Sequence, residues 1–335
     1  MKIGVLGAGS WGIALTVLLS KNGHDVTVWS IDKDEIAMLN QYREHQTKLP
    51  GVIIDEDVKF TTEPKEAVDG AEMLVMVVPS PFIRSTAKTV APYVTEGQIV
   101  VNVSKGIEEE TLMTLTDIIS HEIPQAKVGV LSGPSHAEEV GKCMPTTVVA
   151  GADDENIALL IQDTFMSDFF RVYTSPDVIG IELGGALKNV IALAAGMADG
   201  LGFGDNAKAA IITRGISEIS RLGIAMGGKV ETFAGLSGIG DLIVTCASVH
   251  SRNRRAGVLM GQGKTYKEAM DEVKMVVEGV YSAKAALSLS KKYNIEMPIV
   301  EMVNRVLFED LKASEATALL LGRTKTSESV SLTWK

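Results

Sequence analysis

The stretch Ile3-Gly4-Val5-Leu6-Gly7-Ala8-Gly9-Ser10-Trp11-Gly12 decides the fold. It starts as a short apolar strand and runs into a G-x-G-x-x-G turn built on Gly7, Gly9 and Gly12. Ile13-Ala14-Leu15-Thr16-Val17-Leu18-Leu19 follows as a helix pattern that stops at Asn22-Gly23, and Val26-Thr27-Val28-Trp29 reads as a second strand. Strand, glycine turn, helix and strand within about thirty residues form the dinucleotide-binding unit. Gly7 permits the tight turn, Gly9 lets backbone approach a pyrophosphate, and Gly12 lets the helix pack on the strand. The helix start offers free N–H groups and the positive end of its dipole to the phosphates. No charged residue occurs from Ile3 to Ser20, and Lys2 precedes the run, as in a secretory leader. The interrupting glycines, and the strand that follows at once, make it the first strand and helix of the fold.

The chain has 335 residues, 46% apolar and 22% charged, with a net charge of −10. That length suits two domains around a large core. The acidic balance speaks against a nucleic-acid or membrane-surface binder, but leaves room for a local cationic pocket that holds a phosphate. Cys143 and Cys246 give no disulfide framework, and their use suits a reducing cytoplasm. The scattered histidines show no metal-ligand spacing, so no metal site is read. The apolar stretch 178–202 carries Glu182, Lys188 and Asp199, which marks a buried helix with polar work to do rather than a membrane span.

Strand patterns recur at 58–61, 73–78, 98–103, 127–131, 146–150 and 170–173, with helix patterns at 34–41, 64–68, 81–91, 110–121 and 155–165 between several of them. Runs such as Leu74-Val75-Met76-Val77-Val78 are continuous and apolar, as in strands covered on both faces. The alternation predicts an α/β fold, a Rossmann-type doubly wound and mostly parallel sheet. From about Ser175 strand patterns cease, and helix patterns follow at 179–195, 207–222, 230–233, 254–261, 266–274, 280–292 and 298–307. Two domains are expected: 1–180, which binds a dinucleotide, and 181–335, all helical. The density of Gly and Ala in 184–200 predicts very close helix packing.

Several segments combine into a chemical site. Ser104-Lys105-Gly106 ends a buried strand; Lys105 is either an ordinary exposed turn lysine or a cation in the ligand crevice. In Ser132-Gly133-Pro134-Ser135-His136-Ala137 the Ser135 hydroxyl is placed to cap a new helix. Lys188, within Glu182-Leu183-Gly184-Gly185-Ala186-Leu187-Lys188-Asn189, is the oddest residue, because the helix around it has no polar face of normal width. Most helix lysines snorkel to water. A lysine that stays buried, near other cations, loses basicity and can exchange a proton near neutral pH. Asp241, in Gly238-Ile239-Gly240-Asp241-Leu242, must be paired or capping among apolar neighbours. Ser251-Arg252-Asn253 opens a helix with a hydroxyl, a guanidinium fork and free N–H groups, a combination that suits a phosphate, although alone it reads equally as a solvated helix start.

Gly7–Gly12 with Ser10-Trp11, Ser104-Lys105-Gly106, Gly133-Pro134-Ser135-His136-Ala137, 183–189, Gly240-Asp241-Leu242, Ser251-Arg252-Asn253 and Val277-Glu278-Gly279 together resemble the NAD(P)-dependent glycerol-3-phosphate dehydrogenases of the bacterial type. The resemblance spans nearly the whole chain. It implies Lys188 as general acid/base, with Asp241 and Asn189 holding the lysine and the substrate hydroxyls. It places Lys105, Gly133, Ser135, Asp241, Ser251, Arg252 and Asn253 on a small phosphorylated substrate, and Ser10, Trp11, Lys105, Ala137, Arg252 and Glu278 on the cofactor. It further implies a homodimer in the cytoplasm whose product feeds phospholipid synthesis. After the second strand, Ser30-Ile31-Asp32-Lys33 holds neither an unambiguous ribose-reading acid nor an arginine, so the expected cofactor is NAD or NADP. The competing expectations are a related two-domain β-hydroxy-acid dehydrogenase and a non-catalytic nicotinamide sensor.

Overall fold

The computed structural model describes residues 1–325, 327 and 328. Its strands, in chain order, are β1 (Lys2–Leu6), β2 (Asp25–Trp29), β3 (Glu44–His45), β4 (Leu49–Ile53), β5 (Lys59–Thr61), β6 (Met73–Met76), β7 (Ile99–Asn102), β8 (Lys127–Ser132), β9 (Thr146–Gly151) and β10 (Phe170–Ser175). One 8-stranded sheet has the order β10-β9-β8-β7-β6-β1-β2-β5, and β3 and β4 form a separate hairpin. The hairpin has no counterpart among the strand patterns, because two residues of β3 are too few to show a period. The sheet is parallel from β5 to β8, whereas β9 runs antiparallel to β8 and β10 follows β9 in parallel. Only the four-residue helix Ala137–Val140 lies between β8 and β9. One turn of helix does not span the length of the strands, so β9 enters from the end at which β8 leaves.

Helices cover both faces. Ser10–Lys21, Lys33–Tyr42 and Glu155–Phe165 bury Ile13, Leu18, Ile36, Leu39, Ile161 and Phe165 on one side. Pro64–Val68, Ile83–Val90 and Leu115–Glu122 bury Val68, Ile83, Ala87, Ile118 and Ile119 on the other. Each of the Val, Leu, Ile and Phe side chains contributes about 1.5–3 kcal/mol relative to exposure. The first helix is apolar nearly all round for a structural reason. Its outer side is covered by β4 and by the helix Ala137–Val140. The helix expected at 110–121 begins only at Leu115. Leu112 turns the chain at φ 62°, Ile107 and Thr114 form an antiparallel bridge, and Thr114 caps the helix.

Among the described residues after β10 the regular structure is all helix. Val178–Gly200 runs through its centre, with Asp205–Ala225, Asp241–Ala247, Arg252–Gly261 and Glu278–Lys292 packed around it. The approach of Arg252–Gly261 is as close as the glycine content predicts. A Cβ on Gly196 would overlap the Arg254 carbonyl, and one on Gly257 would overlap the Leu193 carbonyl. Asp199 ties three helices, meeting Lys208 at 2.8 Å and Arg254 at 2.7 Å. The helices Asp241–Ala247 and Ala313–Leu321 have no separate counterpart among the expected elements.

Candidate active site

Strand order reverses between β1 and β6, and open α/β sheets bind ligands at such a point, beyond the strands' carboxyl ends. Gly7 leaves β1 at φ 127°, a conformation costly for any residue with a Cβ. A side chain at Gly12 would overlap the Gly7 carbonyl, whereas the Cβ direction of Gly9 is open space to 4 Å. Gly9 stands before the helix Ser10–Lys21, whose first turn carries no acid. This cradle fits a pyrophosphate on exposed backbone N–H groups. Ser10 is buried at the helix start, and the Trp11 indole donates to the Val103 carbonyl at 3.2 Å. Ala137 is buried at the start of the short helix that packs on the glycine-turn helix.

After β2, the Ser30 hydroxyl donates to Glu35 at 2.6 Å. Glu35 also accepts from His45 at 2.8 Å and from Lys48. Burial alone would raise the Glu35 carboxyl, but these three donors win and hold it at about 2. Asp32 caps the next helix, accepting from the N–H groups of Asp34 and Glu35.

Beyond β7 and β8 lies the cationic centre. Lys188 is 6% exposed, on the central helix. Its Nζ donates to Asp241 Oδ1, and to Thr245 Oγ1 at 2.7 Å. Lys105 Nζ takes the other oxygen of Asp241 at 2.6 Å and also donates to the Gly133 carbonyl at 2.9 Å. One carboxylate thus joins two ammonium groups that come from the sheet and from the helical region. Burial lowers Lys188 most, Lys105 lowers it further, and Asp241 opposes both; the result is about 7. Burial alone would raise Asp241, but the two cations outweigh it and hold the carboxyl below its ordinary value. The Ser135 hydroxyl donates to the Gly133 carbonyl at 3.0 Å. It does not cap the helix; that position belongs to His136.

The His136 ring stands 6.0 Å from that of His250, so the 133–137 loop adjoins the residues leading into Ser251-Arg252-Asn253. Ser251 caps the helix Arg252–Gly261 by accepting from the Arg254 N–H. Asn253 donates to Asn189 Oδ1 at 2.9 Å and accepts from the Gly279 N–H at 2.8 Å. Glu278 accepts from the Ser80 N–H at 3.2 Å and from its hydroxyl. Burial pushes the Glu278 carboxyl up, and the Ser80 contacts and the nearby charge of Arg252 partly counter this. The expected site residues therefore form two neighbouring groups: the glycine cradle with Trp11 and Ala137, and the Lys105–Asp241–Lys188 centre followed by Asn189 and Asn253, with Arg252 near Glu278.

Residues 2–158 match the family profile described as NAD-dependent glycerol-3-phosphate dehydrogenase N-terminus, and residues 177–318 match the corresponding C-terminus profile. The chain belongs to the NAD-dependent glycerol-3-phosphate dehydrogenase family. A glycerol-3-phosphate dehydrogenase [NAD(P)+] of Agathobacter rectalis is 62% identical over 100% of this chain and 99% of its own length. One from Bacillus subtilis is 51% identical over 98% and 96%. The crystal structure of glycerol-3-phosphate dehydrogenase from Coxiella burnetii superposes with a TM-score of 0.93 at 36% identity, covering 96% of this chain and 99% of that one.

Thr245, Ser80 and Asn102, which no local sequence signal singles out, join these groups in the structure. Thr245 lies one helical turn beyond Asp241, a spacing that places both on one face. Ser80, in a turn after β6, anchors Glu278 from the other half of the chain. Asn102 and Glu182 meet across the two regions. Only the separation along the helix of Asp241 and Thr245 was open to a local reading.

Proposed function

We propose that the chain reversibly reduces dihydroxyacetone phosphate to sn-glycerol 3-phosphate with NADH or NADPH, with Lys188 as general acid/base. The observation that carries this reading is the buried Lys188, paired with Asp241 and Thr245 beside Lys105. When bound, the nicotinamide cofactor supplies or accepts the hydride. As charge grows on the ketone oxygen, the Lys188 ammonium stabilises it and delivers the proton; in the oxidative direction neutral Lys188 takes the proton back. Asp241 holds the two lysines apart in fixed directions, and Asn189, fixed by Asn253, stands next to Lys188. Arg252, with Ser251 and Asn253 at a helix start, binds the phosphate and so aligns the carbonyl carbon. The paired catalytic groups favour an enzyme over a nicotinamide sensor.

The same reading has residues 1–180 as the dinucleotide unit and 181–335 as the substrate and catalytic unit. It includes a homodimer, a cytoplasmic site of action in keeping with two free cysteines, and a product used in phospholipid synthesis.

Arg252→Ala removes a charge-assisted phosphate contact worth about 1.5–3 kcal/mol. The KM for dihydroxyacetone phosphate should rise about ten- to a hundredfold, and unphosphorylated dihydroxyacetone should be a very poor substrate of the parent enzyme. Similar turnover of the two compounds would overturn the phosphate assignment.

With Lys188 at about 7, kcat/KM for ketone reduction needs the ammonium and should fall as pH rises through that value. Oxidation of glycerol 3-phosphate needs the neutral amine and should rise through the same range. Ionisation of the substrate phosphate would move both profiles the same way, so the mirror-image pattern is the signature to measure.

A further inference from the structure

Glu182 is a carboxylate on the central helix, buried and facing the sheet. Its Oε1 accepts from Asn102 Nδ2 at 3.1 Å and from the Thr116 N–H at 3.0 Å, and its Oε2 accepts from the Thr116 hydroxyl. Asn102 ends β7 and is wholly buried. The same Nδ2 donates to the Ser104 carbonyl at 3.1 Å, and its Oδ1 accepts from the Ser104 N–H at 3.1 Å. Ser104 in turn donates its hydroxyl to the Val78 carbonyl at 2.6 Å. Asn102 therefore shapes the turn that delivers Lys105, and Glu182 holds Asn102.

The contacts close a ring. From Glu182 it passes through Asn102 and the Ser104-Lys105 turn to Asp241, then to Lys188, further along the helix that carries Glu182. The two anchor points on that helix lie about 9 Å apart along its axis. A sliding or turning of the helix would pull Lys188 away from Lys105 unless a second contact fixed it against the sheet. Directional hydrogen bonds to a buried carboxyl resist such sliding strongly, because breaking them leaves buried polar groups without partners.

We infer that Glu182 is a positioning residue, which acts through Asn102 to register the Lys188 helix on the Lys105 turn. The inference rests on Lys188 being the acid/base. Glu182→Gln keeps a carbonyl acceptor for Asn102 and for the Thr116 N–H. Glu182→Leu removes it, and Asn102→Ala cuts the link to the Lys105 turn while leaving Glu182 on Thr116.

The experiment measures kcat for dihydroxyacetone phosphate, the pH midpoint of kcat and NADH affinity on the full chain, with Lys188→Ala alongside. Glu182→Leu and Asn102→Ala should each lower kcat about tenfold or more and move the pH midpoint, with any loss of NADH affinity smaller than the loss in kcat. Glu182→Gln should stay within about threefold of the parent. Parental kcat and pH midpoint in either Asn102→Ala or folded Glu182→Leu, against an inactive Lys188→Ala, would overturn the positioning role alone. An active Lys188→Ala would overturn the reading of the site on which it rests. Asn102→Ala keeps the test open if Glu182→Leu does not fold.

Discussion

Lys188→Ala is expected to lower kcat for dihydroxyacetone phosphate reduction by at least about a hundredfold, the lower bound for losing general acid–base help. The loss has two parts. The proton donor is gone, and so is the buried ammonium that meets the growing oxyanion. The fold should survive. Asp241 keeps its second partner, Lys105, at 2.6 Å, so no unpaired carboxylate is left. Alanine suits a helix interior, and removing a buried ammonium relieves its desolvation. NADH affinity should change little, because the cradle at Gly7, Gly9 and Gly12 is built on β1 and the helix after it, not on the helix that carries Lys188. Single-turnover hydride transfer by stopped flow, beside a fluorescence titration of NADH, measures both. Near-normal turnover would sink the assignment, and Lys105 would become the candidate. Loss of the thermal transition together with NADH binding would make Lys188 structural.

Local signals carried most of the fold. Gly7–Gly12 announced the first βαβ unit because each glycine answers a local demand, and the structure meets these at Gly7 and Gly12. The parallel part of the sheet followed from strands apolar on both faces. The reversal at β9 did not, because strand direction is set by how far the intervening chain travels, which periodicity does not record. Lys188 stood out by a mismatch with its apolar helix, whereas its partners could only be inferred in part. Asp241 was bound to be paired, yet nothing in its neighbourhood named two lysines so distant in sequence. Thr245, Ser80 and Asn102 are small polar residues of kinds common in every turn and helix, and only the tertiary fold distinguishes them. Ser135 shows the reverse case: a plausible local cap whose hydroxyl turns instead to the Gly133 carbonyl.

Asp241→Asn is expected to destabilise the protein by about 3–5 kcal/mol at pH 6, the usual cost of removing one partner from a buried ion pair. Asp241 is 1% exposed and holds Lys105 and Lys188 on its two oxygens. The amide offers one acceptor and brings an N–H group that faces an ammonium. Lys105, with 18% of its side chain exposed, recovers some hydration; Lys188, at 8%, recovers little. The sign with pH follows from Lys188. Its folded value, about 7, already lies below the ordinary lysine value of 10.5. Losing Asp241 removes an attraction that favours the charged form, so the folded value drops further. The unfolded chain then binds more protons than the variant's folded state over a wider range, and the penalty grows toward low pH. At pH 9 Lys188 is neutral in parent and variant alike, so the destabilisation should shrink clearly. Denaturant unfolding of both proteins at pH 6 and pH 9 gives the comparison. A loss below about 1 kcal/mol at pH 6 would show that Asp241 does not hold these charges together. An equal loss at both values would show that the lost contacts, rather than the charge on Lys188, set the cost.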